Sequence, residues 1–495
     1  MRASGVLLPI ASLPSKYGIG SFSEDAYKFV DQLKLAGQQY WQILPIGPTG
    51  FGDSPYQSFS TFAGNPYFID LDQLIEDGLL TKKECNECDF GNDLRKINYE
   101  KIYLSRFPIL RKAYKRSDCS SNPEFKMFVR DNAFWLEDYA LYMAIKDSYG
   151  GLSWIEWEKD IRLRKEEAMS QYRAKLSEDV EFYKFIQYMF LKHWTKLKKY
   201  ANKIGIRIIG DIPIYVAFDS ADTWANPELF QFDDKLEPIA VSGCPPDGFS
   251  KDGQLWGNLL YRWDVHKETG YEWWINRIEY SFIWYDILRV DHFKGFDEYY
   301  SIPYGHENAR SGQWKKGPGF DFFKTIQRRL GKLNIIAEDL GFITESVKKL
   351  LKKTNFPGMK VIQFAFDSRD ENESDYLPHN YEKNCIVYTG THDNDTTKGW
   401  VEKVSDEDLE YILAYTNKTK EDLKDIHWDM IRLAQASVAN FCIIPIQDYL
   451  GLGTEARINV PSTVGTNWTW RLLEDEITED LIKDIRMITE LYGRI

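Results

Sequence analysis

Long apolar runs are missing from this chain. No stretch approaches the ~20 consecutive apolar residues that a membrane-spanning helix requires. The apolar run nearest the amino terminus, Val6-Leu7-Leu8-Pro9-Ile10-Ala11, is short and broken by proline, unlike a secretory h-region. A cytoplasmic protein is expected. Positive charge is in deficit: 62 Lys and Arg against 75 Asp and Glu leave a net charge of −13. Long-range repulsion would oppose a polyanion before contact formed, so nucleic acid is excluded as a partner and a neutral substrate fits better. Metal-binding residues are sparse, with 6 Cys and 7 His in 495 residues. Cys85 and Cys88 have CxxC spacing, but no second Cys/His pair follows at zinc-finger distance. Reduced thiols and no metal are expected. Gly18-Ile19-Gly20 lacks the remainder of a dinucleotide fingerprint, and no glycine-rich phosphate loop occurs, so no nucleotide cofactor is expected.

Aromatic residues, by contrast, are abundant at 15% of the chain, with 16 Trp, 30 Tyr and 29 Phe. Most must serve a large core, yet the apolar face of a pyranose also packs well on a ring. Composition alone leaves both open.

Short apolar runs alternate with amphipathic stretches, the pattern of βαβ units. Strands are predicted at Gly5–Pro9, Tyr40–Pro45, Ile206–Pro213, Ile283–Val290, Ile335–Ala337, Lys360–Ala365, Cys385–Tyr388 and Phe441–Pro445. Helices are predicted at Glu24–Leu35, Phe320–Leu330, Thr344–Leu351 and Glu421–Val438, among others. Eight strand–helix units point to an α/β fold of the (β/α)8 barrel type, with an open doubly wound sheet as the alternative. The whole chain, 1–495, is read as one catalytic unit. Residues 71–198 are charged and helix-patterned, a helical insertion between the second and third strands. Residues 216–263 are dense in Gly, Pro, Asp and aromatics, as expected of loops over an active site.

Barrel enzymes carry their chemistry where strands end. The fourth predicted strand ends Arg289-Val290-Asp291-His292, and alternation turns Arg289 and Asp291 to one face with Ile287 below them. An arginine there would keep a nucleophilic carboxylate ionised, although a structural ion pair has the same pattern. The fifth ends Ala337-Glu338-Asp339: a carboxyl at the mouth of an apolar run would stay protonated, as a general acid must, whereas Asp339 could equally be a helix N-cap. After the seventh comes Thr389-Gly390-Thr391-His392-Asp393-Asn394-Asp395, too many hydrogen-bonding groups for a turn alone. A zinc role for His392 lacks the partners it would need. Asp211, ending the third strand, suits bracing better than direct chemistry. Asp, Arg-x-Asp-His, Glu and His-Asp at the ends of strands three, four, five and seven converge on one rim.

With these motifs on one rim, the chain resembles the α-amylase-like glycosidases, and more closely the amylomaltase or disproportionating-enzyme family of 4-α-glucanotransferases. The likeness runs over essentially the whole length: Ala11-Ser12-Leu13-Pro14-Ser15, Asp53-Ser54-Pro55-Tyr56-Gln57-Ser58, Gly210-Asp211-Ile212-Pro213, Pro245-Pro246-Asp247, Gln254-Leu255-Trp256-Gly257-Asn258, Arg289-Val290-Asp291-His292-Phe293, Ala337-Glu338-Asp339-Leu340-Gly341, Thr391-His392-Asp393-Asn394, Arg457-Ile458-Asn459-Val460-Pro461 and Asn467-Trp468-Thr469-Trp470-Arg471. The resemblance implies Asp291 as nucleophile, Glu338 as acid/base and Asp393 as the residue that grips the donor sugar, with Arg289, His392 and Asp211 in support. The block around Asp211 continues Pro213-Ile214-Tyr215 where ordinary α-amylases have Asn-His, which fits a calcium-independent family. Tyr56, Ser54, Asp247, Phe249, Gln254, Trp256, Asn258 and Asn459 are the expected substrate contacts, with loop packing as the plainer role for some of them. The implied partners are malto-oligosaccharides and starch- or glycogen-derived α-1,4-glucans, with no cofactor, no metal and no membrane. A hydrolase on the same scaffold is the main rival, and a noncatalytic glucan-binding protein is a second.

Overall fold

The computed structural model describes the chain except residues 1, 51, 247–250, 342 and 371–373. Eight parallel strands close into a barrel in strict chain order. They are β1 (Ala3–Leu7), β2 (Tyr40–Gln42), β3 (Arg207–Pro213), β4 (Ile287–Asp291), β5 (Ile335–Ala337), β6 (Gly358–Val361), β7 (Cys385–Tyr388) and β8 (Phe441–Pro445), with β8 pairing back to β1. The (β/α)8 expectation is confirmed, and the open sheet is excluded because no edge is left unpaired.

Parallel strands in such a barrel are buried on both faces, and the two faces separate cleanly here. Leu7, Ile209, Ile287, Ile336, Met359, Ile386, Tyr388 and Ile443 pack together inside the barrel. Val6, Ile208, Leu288, Ile335, Val387 and Cys442 belong to the larger core under the surrounding helices. Because side chains alternate, the interior residue two places beyond Ile209 is Asp211, beyond Ile287 is Arg289, and beyond Ile336 is Glu338. Apolar side chains fill most of the lower barrel, where the Tyr388 hydroxyl donates to the buried Gln42 at 2.8 Å, and Asp211, Arg289 and Glu338 stand toward its carboxyl-terminal mouth.

Several boundaries differ from the sequence pattern. The fourth strand begins at Ile287 because the helix Glu272–Trp284 continues through the apolar residues assigned to the strand's start. A short apolar run cannot by itself distinguish a buried helix end from a strand. The sixth strand ends at Val361, where the chain tightens into a 3-10 turn, Ile362–Phe364. The predicted helix 421–438 divides into a 3-10 segment, Lys420–Asp425, and an α-helix, Ile426–Ala436. Between β2 and β3 the chain is helical, and its longest helix, Ser177–Lys203, packs beside Glu24–Leu35 and leads into β3.

The segment 216–263 holds more than loops. Ala240–Cys244 and Gln254–Leu259 pair antiparallel, and Ala240–Cys244 also pairs with Glu298–Pro303, which in turn pairs with Gln313–Lys316. This four-stranded sheet stands beside the barrel mouth. Its strands are short, and half of the pairing partners come from a distant segment, so no local periodicity announces it. No helix of the described residues is long and apolar enough to cross a membrane.

Candidate active site

The centre of the rim is an ion-pair relay inside the barrel. Arg289 is almost fully buried; its Nη1 lies 2.6 Å from Asp211 Oδ2 and its Nη2 lies 3.0 Å from Asp291 Oδ1. Register makes this possible, since Asp211 and Arg289 are directly paired on adjacent strands. Burial alone would favour a neutral guanidinium, but Asp211 and Asp291 outweigh it and hold Arg289 firmly charged. Tyr56, from the loop after β2, donates its hydroxyl to the same Asp211 oxygen at 2.8 Å. Asp211 is completely buried, and burial pushes its carboxyl up to about 6, with Arg289 pulling against that and Asp291 reinforcing it. Asp211 therefore braces Arg289 from below, while Asp291 at the strand end keeps partial access to the cleft.

Glu338 stands next to Asp291. Val290 pairs with Ala337, so the residues that follow each are neighbours at the barrel mouth, on strands ~4.8 Å apart. The peptide N–H of His292 donates to Glu338 Oε2 at 2.7 Å and that of Leu340 to Oε1 at 2.8 Å. These donors favour the ionised carboxylate. Burial and the adjacent Asp291 oppose them more strongly and push the Glu338 carboxyl up to about 8, keeping it protonated at neutral pH. His292 takes a left-handed conformation, φ 54°, which directs its N–H at Glu338. A non-glycine residue held there carries strain of order 1–3 kcal/mol, of the kind concentrated at functional sites.

The third carboxylate enters from the loop after β7. Asp393 is half exposed, its Oδ1 accepts a 2.6 Å hydrogen bond from Asn459 Nδ2, and its Oδ2 lies 3.4 Å from His392 Nε2. His392 is buried and stacked against the Tyr56 ring, centroids 5.2 Å apart, with Trp468 close to both. Tyr56 thus links the Asp211 brace to the Asp393 loop.

Of the remaining sequence candidates, Trp256 meets His292 edge to face at 4.8 Å and donates its indole N–H to Gln254 at 3.1 Å. Asn258 is tied to Gln57 at 3.0 Å and to the Val216 carbonyl at 3.1 Å, which fixes the sheet to the loop after β2. Ser54 accepts from the Tyr56 peptide N–H at 3.3 Å and shapes that loop. Asp247 and Phe249 lie outside the described residues. Asp339 is no N-cap: its carboxylate accepts from the Met359 peptide N–H at 2.6 Å and fastens β5 to β6. Residues to which the sequence gave no role of their own are His292, whose buried Nε2 has no hydrogen-bond partner among the described residues, Tyr215, Gln57, Arg457 and Trp468. All five sit within quoted motifs, but their roles depend on loops that meet only in three dimensions. Among the described residues, no group of three or more His, Cys, Asp or Glu is placed to hold a metal ion.

Comparison with known proteins agrees with this architecture. Residues 8–476 match the family model described as 4-alpha-glucanotransferase. The chain is 51% identical over 487 residues to the 4-alpha-glucanotransferase of Clostridium butyricum, covering 98% of this chain and 99% of that protein. It is 44% identical to the enzyme of that name from Thermus thermophilus, covering 100% and 99%. Among solved structures, the amylomaltase of Streptococcus agalactiae in complex with acarbose superposes with a TM-score of 0.97 at 43% identity, over 100% of both chains. With this barrel, this rim of side chains and likeness over the full length, the chain belongs to the 4-alpha-glucanotransferase family.

Proposed function

We propose that this enzyme transfers α-1,4-glucan segments between malto-oligosaccharides by a retaining double displacement. The observation that carries the reading is the pairing of Asp291, held by Arg289, with the protonated Glu338 on the neighbouring strand. Retaining enzymes need their two carboxyl groups ~5–5.5 Å apart, which is the separation natural to equivalent positions on adjacent strands. Asp291 attacks the anomeric carbon as the glycosidic C–O bond breaks, and Glu338 gives its proton to the departing 4-oxygen. Glu338, now a carboxylate stabilised by the His292 and Leu340 N–H groups, takes the proton from the 4-hydroxyl of an incoming glucan. That hydroxyl displaces Asp291 and restores the α-linkage. Asp393, anchored through one oxygen by Asn459, offers the other to the donor sugar as positive charge builds on its ring.

Trp256, Gln254 and the neutral His292, whose pKa burial lowers to about 4, form the acceptor side. An acceptor sugar stacked there would exclude water from the covalent intermediate, which favours transfer over hydrolysis. The helical segment 71–198 and the segment 216–263 are insertions on one catalytic barrel in a cytoplasmic enzyme, and neither supplies the carboxylates.

Incubation with maltotriose tests the reading: a ladder of longer oligosaccharides plus glucose is expected, and shorter products alone would mean hydrolysis. Asp291→Asn should abolish the ladder while leaving the unfolding midpoint near that of the parent. Near-normal transfer by that variant would remove Asp291 from the chemistry.

A further inference from the structure

We propose that Arg457 is a positioning residue for the donor-gripping carboxylate, acting through the backbone of Asp393; this rests on the role assigned to Asp393 above. The loop that bears Asp393 leaves β7; Tyr56 stacks on its His392 and Gln363 donates to its Asp395 carbonyl at 2.9 Å. Apart from contacts within the loop, the hydrogen bonds to Asp393 itself come from the segment after β8. The Arg457 Nη2 donates to the Asp393 peptide carbonyl at 2.6 Å, and its Nε donates to the Asn459 carbonyl at 2.7 Å. The same segment donates from the Asn459 N–H to the His392 carbonyl at 3.2 Å, and from the Asn459 amide to Asp393 Oδ1 at 2.6 Å. One rigid, planar cation therefore holds the backbone of the acid and the backbone of the residue that orients the acid.

The two loops lie 64 residues apart in sequence at this contact, so nothing local fixes their spacing. A guanidinium suits the task because its donors are set in a fixed fork, and a lysine ammonium is a single point on a flexible stem. If the clamp is released, Asn459 and Asp393 can drift together away from the sugar without any loss of the barrel. A displacement of ~1 Å from productive geometry costs about 100-fold in rate. The loss should appear in turnover, because Asp393 is asked to respond to charge that develops only in the transition state.

The test measures maltotriose disproportionation and unfolding midpoints for the full chain carrying Arg457→Gln, Arg457→Lys, Asn459→Ala, the Arg457→Gln/Asn459→Ala pair and Asp393→Asn. Arg457→Gln should lower kcat about 10- to 100-fold with KM within about 2-fold, and Arg457→Lys should recover part of the loss by keeping one carbonyl contact. The double variant should be no worse than the more damaging single change by more than about 3-fold, because both act on one carboxylate. Losses that multiply, or a change confined to KM, would overturn the proposal. Should Arg457→Gln fail to fold, Arg457→Lys decides on the same split, and unchanged kcat there refutes the clamp. If Asp393→Asn retains transfer, the reading of the site itself fails; if it is inactive while Arg457→Gln is normal, only the clamp fails.

Discussion

Replacing Glu338 with Gln should make the protein more stable relative to its parent as the pH rises. The Glu338 carboxyl is raised from an ordinary 4.5 to about 8, first by burial and then by Asp291. A carboxyl with a raised folded-state pKa binds its proton more tightly in the fold than in the unfolded chain. Its contribution to stability is therefore complete below pH 4.5 and is lost progressively as pH climbs to about 8. At ~1.4 kcal/mol per pKa unit the full gap amounts to about 5 kcal/mol. Glu338 is not wholly shielded at the barrel mouth, and solvent screening reduces the figure to about 3 kcal/mol. Glutamine is neutral like the protonated acid, but its amide NH2 cannot accept from the His292 or Leu340 N–H, whereas the acid's hydroxyl oxygen keeps acceptor capacity. That defect is independent of pH and cancels between conditions. Urea unfolding of both chains near pH 5 and near pH 8.5 isolates the remainder, and the variant-minus-parent difference should move by about 3 kcal/mol in favour of Gln. A difference that moves by less than about 1 kcal/mol would mean that the acid is not held neutral by its surroundings, and the acid/base assignment would lose its physical basis. Transfer by the parent should fall above about pH 8 for the same reason.

Other consequences follow from the relay and the rings around it. Arg289→Lys cannot span Asp211 and Asp291 at once, so urea unfolding should show a loss of about 2–4 kcal/mol and maltotriose turnover should fall at least about 100-fold. Tyr56→Phe keeps the stack on His392 but removes the hydroxyl donor to Asp211, and a destabilisation of about 1–2 kcal/mol by the same assay is expected. Trp256→Ala should raise the KM for glucose or maltose as acceptor about 10-fold and increase the hydrolysed fraction of product, while cleavage of an α-glucosyl fluoride donor stays close to the parental rate. Unchanged acceptor KM would place Trp256 in loop packing.

Much of this was legible along the chain because a barrel strand writes its own address. Alternation over Ile287-Leu288-Arg289-Val290-Asp291 assigns both polar residues to the interior, and the same rule handles Ile209 with Asp211 and Ile336 with Glu338. Polar residues closing an apolar run mark a rim wherever the run is long enough to be buried. The antiparallel sheet beside the mouth escaped that logic, since Ala240–Cys244 is only five residues long and its partner Glu298–Pro303 lies beyond β4.

What the linear order could not contain is distance. Whether Arg289 was a bystander to Asp291 or the link between two carboxylates depended on Asp211 arriving from 78 residues away in direct register. The state of Glu338 depended on how much water the finished cavity admits and on Asp291 beside it, and neither is a property of Ala337-Glu338-Asp339 alone. The Asn459 and Arg457 contacts to Asp393 arise between loops that no strand register connects. Residue types and periodicity set which groups reach the barrel mouth, because they act over a few neighbouring peptides. Protonation, orientation and support come from Coulomb and hydrogen-bond interactions across space, and those exist only once the chain has closed.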